Sequence, residues 1–141
     1  EIQDPGNLGT IIRIAAWYGI KHLFCSHNSV DLYNPKLIQS SMGAFTKTKI
    51  MNIESNLLFE AAQKNNIPVY GASLDGKDIR KEELKNPALI VFGNESQGIS
   101  KTSIKQITNK IKIMPWPEDK SNIDSLNVAV SAAVICSEFR R

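Results

Sequence analysis

Three stretches of this sequence carry polar residues of the kinds that bind or activate ligands. The first is Asn7-Leu8-Gly9-Thr10-Ile11-Ile12-Arg13, continued by Ile14-Ala15-Ala16-Trp17. A helix that is apolar almost all round is usually buried, and a buried guanidinium must be paired. Arg13 therefore reads in two ways. It is a cation aimed at a phosphate or a reacting oxygen, or it lies on the one exposed stripe of the helix. Asn7 reads as the helix cap, a role compatible with ligand binding because helix starts attract anions. The second stretch is Gly93-Asn94-Glu95-Ser96-Gln97-Gly98. Two glycines bracket a carboxylate, so the backbone can approach a ligand closely; a plain turn with a solvated Glu95 is the alternative. The third is Ser121-Asn122-Ile123-Asp124-Ser125-Leu126-Asn127-Val128, polar groups crowding the start of an apolar helix, with capping by Asp124 or Ser125 as the simplest reading.

Other chemistry is disfavoured. No stretch matches GxGxxG or the GxxxxGK[ST] phosphate loop, and Gly76-Lys77-Asp78 lacks that loop's frame. His22 and His27 flank a strand without accompanying carboxylates, so no metal site is expected. Cys25 and Cys136 are too few for a disulfide framework, and Cys136 reads as core. Trp17, Tyr18 and Trp116 are either stacking platforms for bases or core and interface anchors.

The elements that must position these groups alternate. Helices are expected over Leu8–Tyr18, ended by Gly19, over Pro35–Met42, Ser55–Asn65, Ser100–Ile107 and Leu126–Phe139, with a helical turn at Lys81–Leu84. Strands are expected over Lys21–Ser26, Lys47–Asn52, Ile67–Ala72, Ala88–Phe92 and Lys110–Met114, with a turn at Asp75-Gly76. Ala88-Leu89-Ile90-Val91-Phe92 has the unbroken apolar character of a central parallel strand. The order implies an α/β fold, a parallel sheet with helices on both faces. Ligands in such folds bind at the carboxyl ends of strands. The segments Gly71–Gly76, Gly93–Gly98 and Pro115–Asn127 follow strands there.

The 141 residues form one domain; 42% are hydrophobic and 22% charged, an ordinary globular mix. The net charge of +3 permits a polyanionic partner without demanding one. No apolar run approaches the roughly 20 residues of a membrane helix, and a reducing cytosolic setting is expected.

Taken together, the three stretches resemble the motifs of the SpoU (TrmH) family of RNA ribose methyltransferases. Asn7 to Arg13 is similar to N-x-G-x-x-x-R, Phe92 to Ile99 contains G-x-E-x-x-G, and Ile113-Met114-Pro115 with Ser125-Leu126-Asn127-Val128 is similar to the third motif, which ends S-L-N-V. The resemblance implies a C-terminal trefoil knot, a homodimer, S-adenosylmethionine as cofactor, and methylation of a ribose 2′-hydroxyl in tRNA or rRNA. It implies that Asn7, Arg13, Glu95, Ser125 and Asn127 are the catalytic and substrate residues. It also implies a cofactor pocket of Leu74, Phe92, Gly93, Asn94, Gly98, Ile113, Met114 and Leu126. The sequence departs from the family in reading Ile113-Met114-Pro115-Trp116-Pro117 where I-P-M is usual, and in lacking the strand that precedes the first motif. A catalytically inactive RNA-binding module on the same fold is the alternative reading.

Overall fold

The computed structural model describes residues 1–117 and 123–141; Ser121 and Asn122 of the third motif lie outside the described residues. The elements run α1 (Pro5–Trp17), β1 (His22–Cys25), α2 (Pro35–Ser41), β2 (Lys49–Asn52), α3 (Ser55–Lys64), β3 (Val69–Asp78), β4 (Leu89–Val91), α4 (Lys101–Ile104), β5 (Asn109–Lys112) and α5 (Val128–Arg140). The alternation read from the sequence is present, and the class is α/β.

Helix α1 begins earlier than the apolar periodicity suggests. Asp4 is its cap, accepting from the Asn7 N–H, and Pro5 occupies the first turn, where a missing N–H costs nothing. Asn7 is therefore inside the helix, and its side chain is released from capping. Gly19, with φ +67°, follows the helix end as expected. At α5 the cap is Asn127, not Asp124 or Ser125: its Oδ1 accepts from the N–H groups of Ala129 and Val130. The helical turn expected at Lys81–Leu84 forms instead as a 3-10 turn at Ile79–Lys81, capped by Asp78.

The strands make two parallel sheets among the described residues, not one. β1 pairs with β2, and the second sheet has the order β4-β3-β5. The central strand of the second sheet is β3, whose Val69, Tyr70 and Gly71 are buried; β4 is half-buried and bonded along one edge only. An apolar run is satisfied by covered faces, and it does not reveal how many edges are paired. A cleft of about 890 Å³ separates the sheets, lined by His22–Cys25 on one side and Leu89–Val91 on the other. The turn expected at Asp75-Gly76 falls inside β3, within a four-residue excursion between Ala72 and Lys77.

Three apolar clusters hold these layers together. Leu8, Ile12, Leu37, Cys25 and Ala132 join α1, α2, β1 and α5. Tyr70, Ile79, Ile111, Ile135 and Phe139 join the second sheet to α5. Phe59, Ala62 and Val69 seat α3 against β3. Phe92 packs against the first two clusters, so the strand end that carries the second motif is anchored from both sides. Cys25 and Cys136 are buried free thiols, their pKa values pushed up to about 11 by burial.

Candidate functional site

The site is assembled from three parts of the chain that are far apart in sequence. Asn7 Nδ2 donates to Glu95 Oε1 at 3.1 Å across 88 positions. Asn127 Nδ2 donates to Asn7 Oδ1 at 2.9 Å across 120 positions. The orientations of both amides follow from their neighbours. An ionised carboxylate only accepts, so Asn7 must turn its nitrogen to Glu95. Asn127 spends its oxygen capping α5, so its nitrogen must face Asn7. The result is a directional relay, Asn127 to Asn7 to Glu95, that ties the helix starts of α1 and α5 to the loop after β4.

Glu95 also accepts from the backbone N–H groups of Gln3 (3.4 Å) and Asp4 (3.3 Å). Partial burial works to raise its pKa, but the donors from Asn7, its own loop, Gln3 and Asp4 together outweigh that and hold it below the usual glutamate value. Glu95 is thus an exposed turn carboxylate that is also tied by donors from Asn7, Gln3 and Asp4, a clasp between motifs. Asp4 is likewise held below its ordinary range, first by the Asn7 N–H bond at 2.7 Å, with Lys36 at 3.7 Å adding attraction.

The loop that carries Glu95 has little freedom. Asn94 and Gly98 exchange backbone bonds of 2.9 and 3.0 Å, and Asn94 Oδ1 accepts from Ser96 and Gln97. A Cβ on Gly93 would lie 2.0 Å from the Gly98 carbonyl carbon, and Gly98 itself has φ +68°. The two glycines are needed to close this loop on itself.

Most of the expected cofactor residues follow the carboxyl ends of the second sheet. β3, β4 and β5 are parallel and in register at Gly71, Val91 and Lys110, so the segments beginning at Ser73, Phe92 and Ile113 emerge side by side. Leu74, Phe92, Gly93, Asn94, Ile113 and Met114 lie on these three segments. Leu74 is 59% exposed and Leu126 51% exposed, two apolar side chains open to solvent among the described residues. That combination fits the adenine and thioether parts of S-adenosylmethionine, which want an apolar slot edged by backbone donors and acceptors.

Arg13 is not brought to this relay. It is exposed on a stripe with Thr10 and Trp17, and it makes no ion pair among the described residues. Helix geometry puts it roughly 9 Å along α1 and about 120° round from Asn7. The buried, paired guanidinium is corrected to the exposed-stripe reading: the polar face of α1 is narrow because α2 and α5 cover the rest. Ser125 is exposed at the approach to α5 and makes no hydrogen bond among the described residues. Trp17 and Trp116 are 85% and 88% exposed, so neither is core. No group of three metal-ligating side chains occurs among the described residues, and no helix of the described residues is long and apolar enough to cross a membrane.

Two features were not read from the sequence. The cap at Asp4 was legible, since Asp followed by Pro is a helix-start signature. The ion pair between Asp75 and Lys110 at the edge of the cofactor end has no sequence signal, because the two residues meet only through sheet register.

Comparison with known proteins agrees with this geometry. Residues 1–137 match the model of the SpoU rRNA Methylase family. An uncharacterized tRNA/rRNA methyltransferase of Synechocystis is 30% identical over 143 residues, covering all of this chain and 51% of the relative. The 23S rRNA (guanosine(2553)-2′-O)-methyltransferase of Bacillus subtilis is 25% identical, covering 99% of this chain and 55% of the relative. Among solved structures, the AdoMet-bound rRNA methyltransferase of Sinorhizobium meliloti superposes with a TM-score of 0.88 at 25% identity, over 99% of this chain and 53% of the other. The chain spans about half the length of each of these three proteins.

Proposed function

The chain belongs to the SpoU rRNA Methylase family, and we propose that it acts as the catalytic domain of an RNA methyltransferase that transfers a methyl group to a ribose 2′-hydroxyl of tRNA or rRNA. The cofactor is S-adenosylmethionine, as in the AdoMet-bound structure of the Sinorhizobium relative. The observation that carries the proposal is the Asn127–Asn7–Glu95 relay, which joins all three motifs through side chains rather than leaving them as separate turns.

The cofactor supplies a methyl group activated by its sulfonium charge; the chain supplies alignment and charge control. Hydrogen-bond capacity limits what each residue can offer. Asn127 Oδ1 already accepts twice, so only one amide N–H remains for a ligand. Asn7 retains one N–H and one lone pair. Asn7, Asn127 and the free Ser125 hydroxyl orient the ribose. Glu95 holds Asn7 rather than touching the sugar. A guanidinium offers five donors and no acceptor, so Arg13 is not a simple base. It stabilises the developing alkoxide and grips the adjacent phosphate through its planar fork.

The homodimer is proposed to form through the α1–α5 face, where Thr10, Arg13, Trp17 and Val130 are exposed. A shared interface there doubles the +3 charge around Arg13 and supplies the relay with a guanidinium that one protomer does not bring to it. The Glu1 and Ile2 carbonyls are held beside the cleft by Asn94 Nδ2 and the Val30 N–H. The trefoil knot that the resemblance implies is proposed for the C-terminal segment.

The test is a titration with S-adenosylhomocysteine, followed by nucleoside mass spectrometry of tRNA and rRNA from cells lacking the gene. Binding together with loss of one 2′-O-methylated nucleoside is the expected result. Binding without any lost nucleoside would favour the inactive RNA-binding module, and absence of binding by the intact protein would refute the cofactor site.

A further inference from the structure

The loop that carries Leu74 is built around a detour in the sheet. Ala72 and Lys77 of β3 both pair with Ile111 of β5, so residues 73–76 bow out between two bonds to the same partner. The return leg passes so close to β5 that a Cβ on Gly76 would lie 2.6–2.8 Å from the Ile111 backbone. The bow is tied at its tip. Lys110 Nζ donates to Asp75 Oδ2 at 2.6 Å, and Ser73 Oγ donates to Asp75 Oδ1.

Strand alternation explains why Lys110 is the residue that reaches it. Ile111 is fully buried in the core, so its neighbour Lys110 points to the other face, toward the bow. Asp75 is ionised throughout the working pH range: Lys110 foremost, then Ser73, lower its pKa to about 2. Leu74 lies between Ser73 and Asp75, the two residues tied together. It is 59% exposed, so packing does not hold it. An untied four-residue bow would have to be ordered when a ligand binds, and that ordering weakens binding.

We propose that Lys110 and Asp75 are positioning residues for the cofactor: their ion pair holds the 73–76 bow in the shape that sets Leu74 against the bound S-adenosylmethionine. This rests on the reading of Leu74 as a wall of that pocket. The pair acts before the ligand arrives, by pre-organising the wall. Its loss therefore shows in cofactor affinity and cofactor KM, not in kcat.

Calorimetric titration of the intact protein with S-adenosylhomocysteine tests it, using Lys110→Met, Leu74→Ala and the double variant. Lys110→Met keeps the length and removes the charge. Its Kd should rise roughly threefold to tenfold, the scale of a solvent-facing charge-assisted bond. The thermal midpoint should stay within a few degrees, as for other surface substitutions. Lys110→Arg should recover most of the affinity. In a Leu74→Ala background, Lys110→Met should add little, since the pair acts through Leu74. A Lys110→Met Kd within twofold of wild type, or losses that simply add in the double variant, would overturn the inference while leaving the cofactor site intact. Failure of the wild-type protein to bind would overturn both.

Discussion

Replacing Asn7 by Asp exchanges its amide nitrogen for a carboxylate oxygen and should disable the relay in a pH-dependent way. The wild-type amide donates to Glu95 at 3.1 Å. In Asn7→Asp that donor becomes a carboxylate oxygen facing another carboxylate. Two unit charges at that separation repel by about 1.3 kcal/mol in a water-like dielectric and about 5 kcal/mol at an effective value of 20. Asn7 is half-buried and Glu95 exposed, so the lower end applies. The lost hydrogen bond adds about 1 kcal/mol, and a stronger bond from Asn127 to the new charge returns part of it. A net loss of about 2 kcal/mol lowers the thermal midpoint of a domain this size by roughly 5–10 °C.

The sign with pH separates this from a generic packing defect. In the wild type, the folded pKa of Glu95 lies below its ordinary 4.5. Its contribution is therefore complete above that value and is lost as pH falls through the lowered one. In Asn7→Asp the paired carboxyls are raised instead, so the penalty is present at neutral pH and disappears as acid protonates one of them. Calorimetric melts at pH 7.5, 5.5 and 4 should show the gap between the two proteins closing on acidification, and closing by more than the gap to Asn7→Ala, which loses only the Asn7 contribution to the lowered Glu95. A midpoint change below about 2 °C at pH 7.5, or a gap independent of pH, would mean that Asn7 and Glu95 are not in contact, and the relay argument would fail.

Gly93→Ala should cost more than tenfold in S-adenosylhomocysteine affinity, because its Cβ meets the Gly98 backbone, while Gly98→Ala meets nothing and should cost only about 1 kcal/mol of stability from its positive φ; the reverse ranking in binding and melting experiments would refute the loop geometry. Arg13→Lys keeps the charge and loses the fork, so turnover should fall by at least tenfold with cofactor affinity unchanged; near-normal turnover would remove the fork from the mechanism. Trp17→Glu should shift the protein toward monomer in sedimentation, and an unchanged dimer would move the interface elsewhere. Trp116→Ala should weaken substrate RNA by roughly tenfold, the effect of one lost stacked base, without altering cofactor binding; equal RNA affinity would leave Trp116 outside the substrate path.

The residue pattern was enough for the α/β class, because each strand and helix carries its own periodicity and punctuation. Pro35, Gly19 and the apolar run at Ala88–Phe92 mark elements within a few residues of their observed ends. Local signals compete at two places. Asn7 was a plausible cap until Asp4, one turn earlier and followed by Pro5, took the role. Asp75-Gly76 has turn chemistry and does turn, but as an excursion inside a strand whose second half returns to Ile111.

The residue types set the available chemistry: two amides, a carboxylate, a guanidinium and a pair of glycines, in motifs whose order identifies the family. Those are covalent facts and survive any fold. Which of these groups meet is a property of the folded chain. Folding turned Asn7, Glu95 and Asn127 into one directional relay across 88 and 120 positions, left Arg13 facing outward, made β3 rather than β4 the centre of its sheet, and set Lys110 under Asp75. Local pattern reports burial and periodicity, which each segment carries alone. Register, edge pairing and long-range hydrogen bonds belong to pairs of segments, and no single segment encodes them.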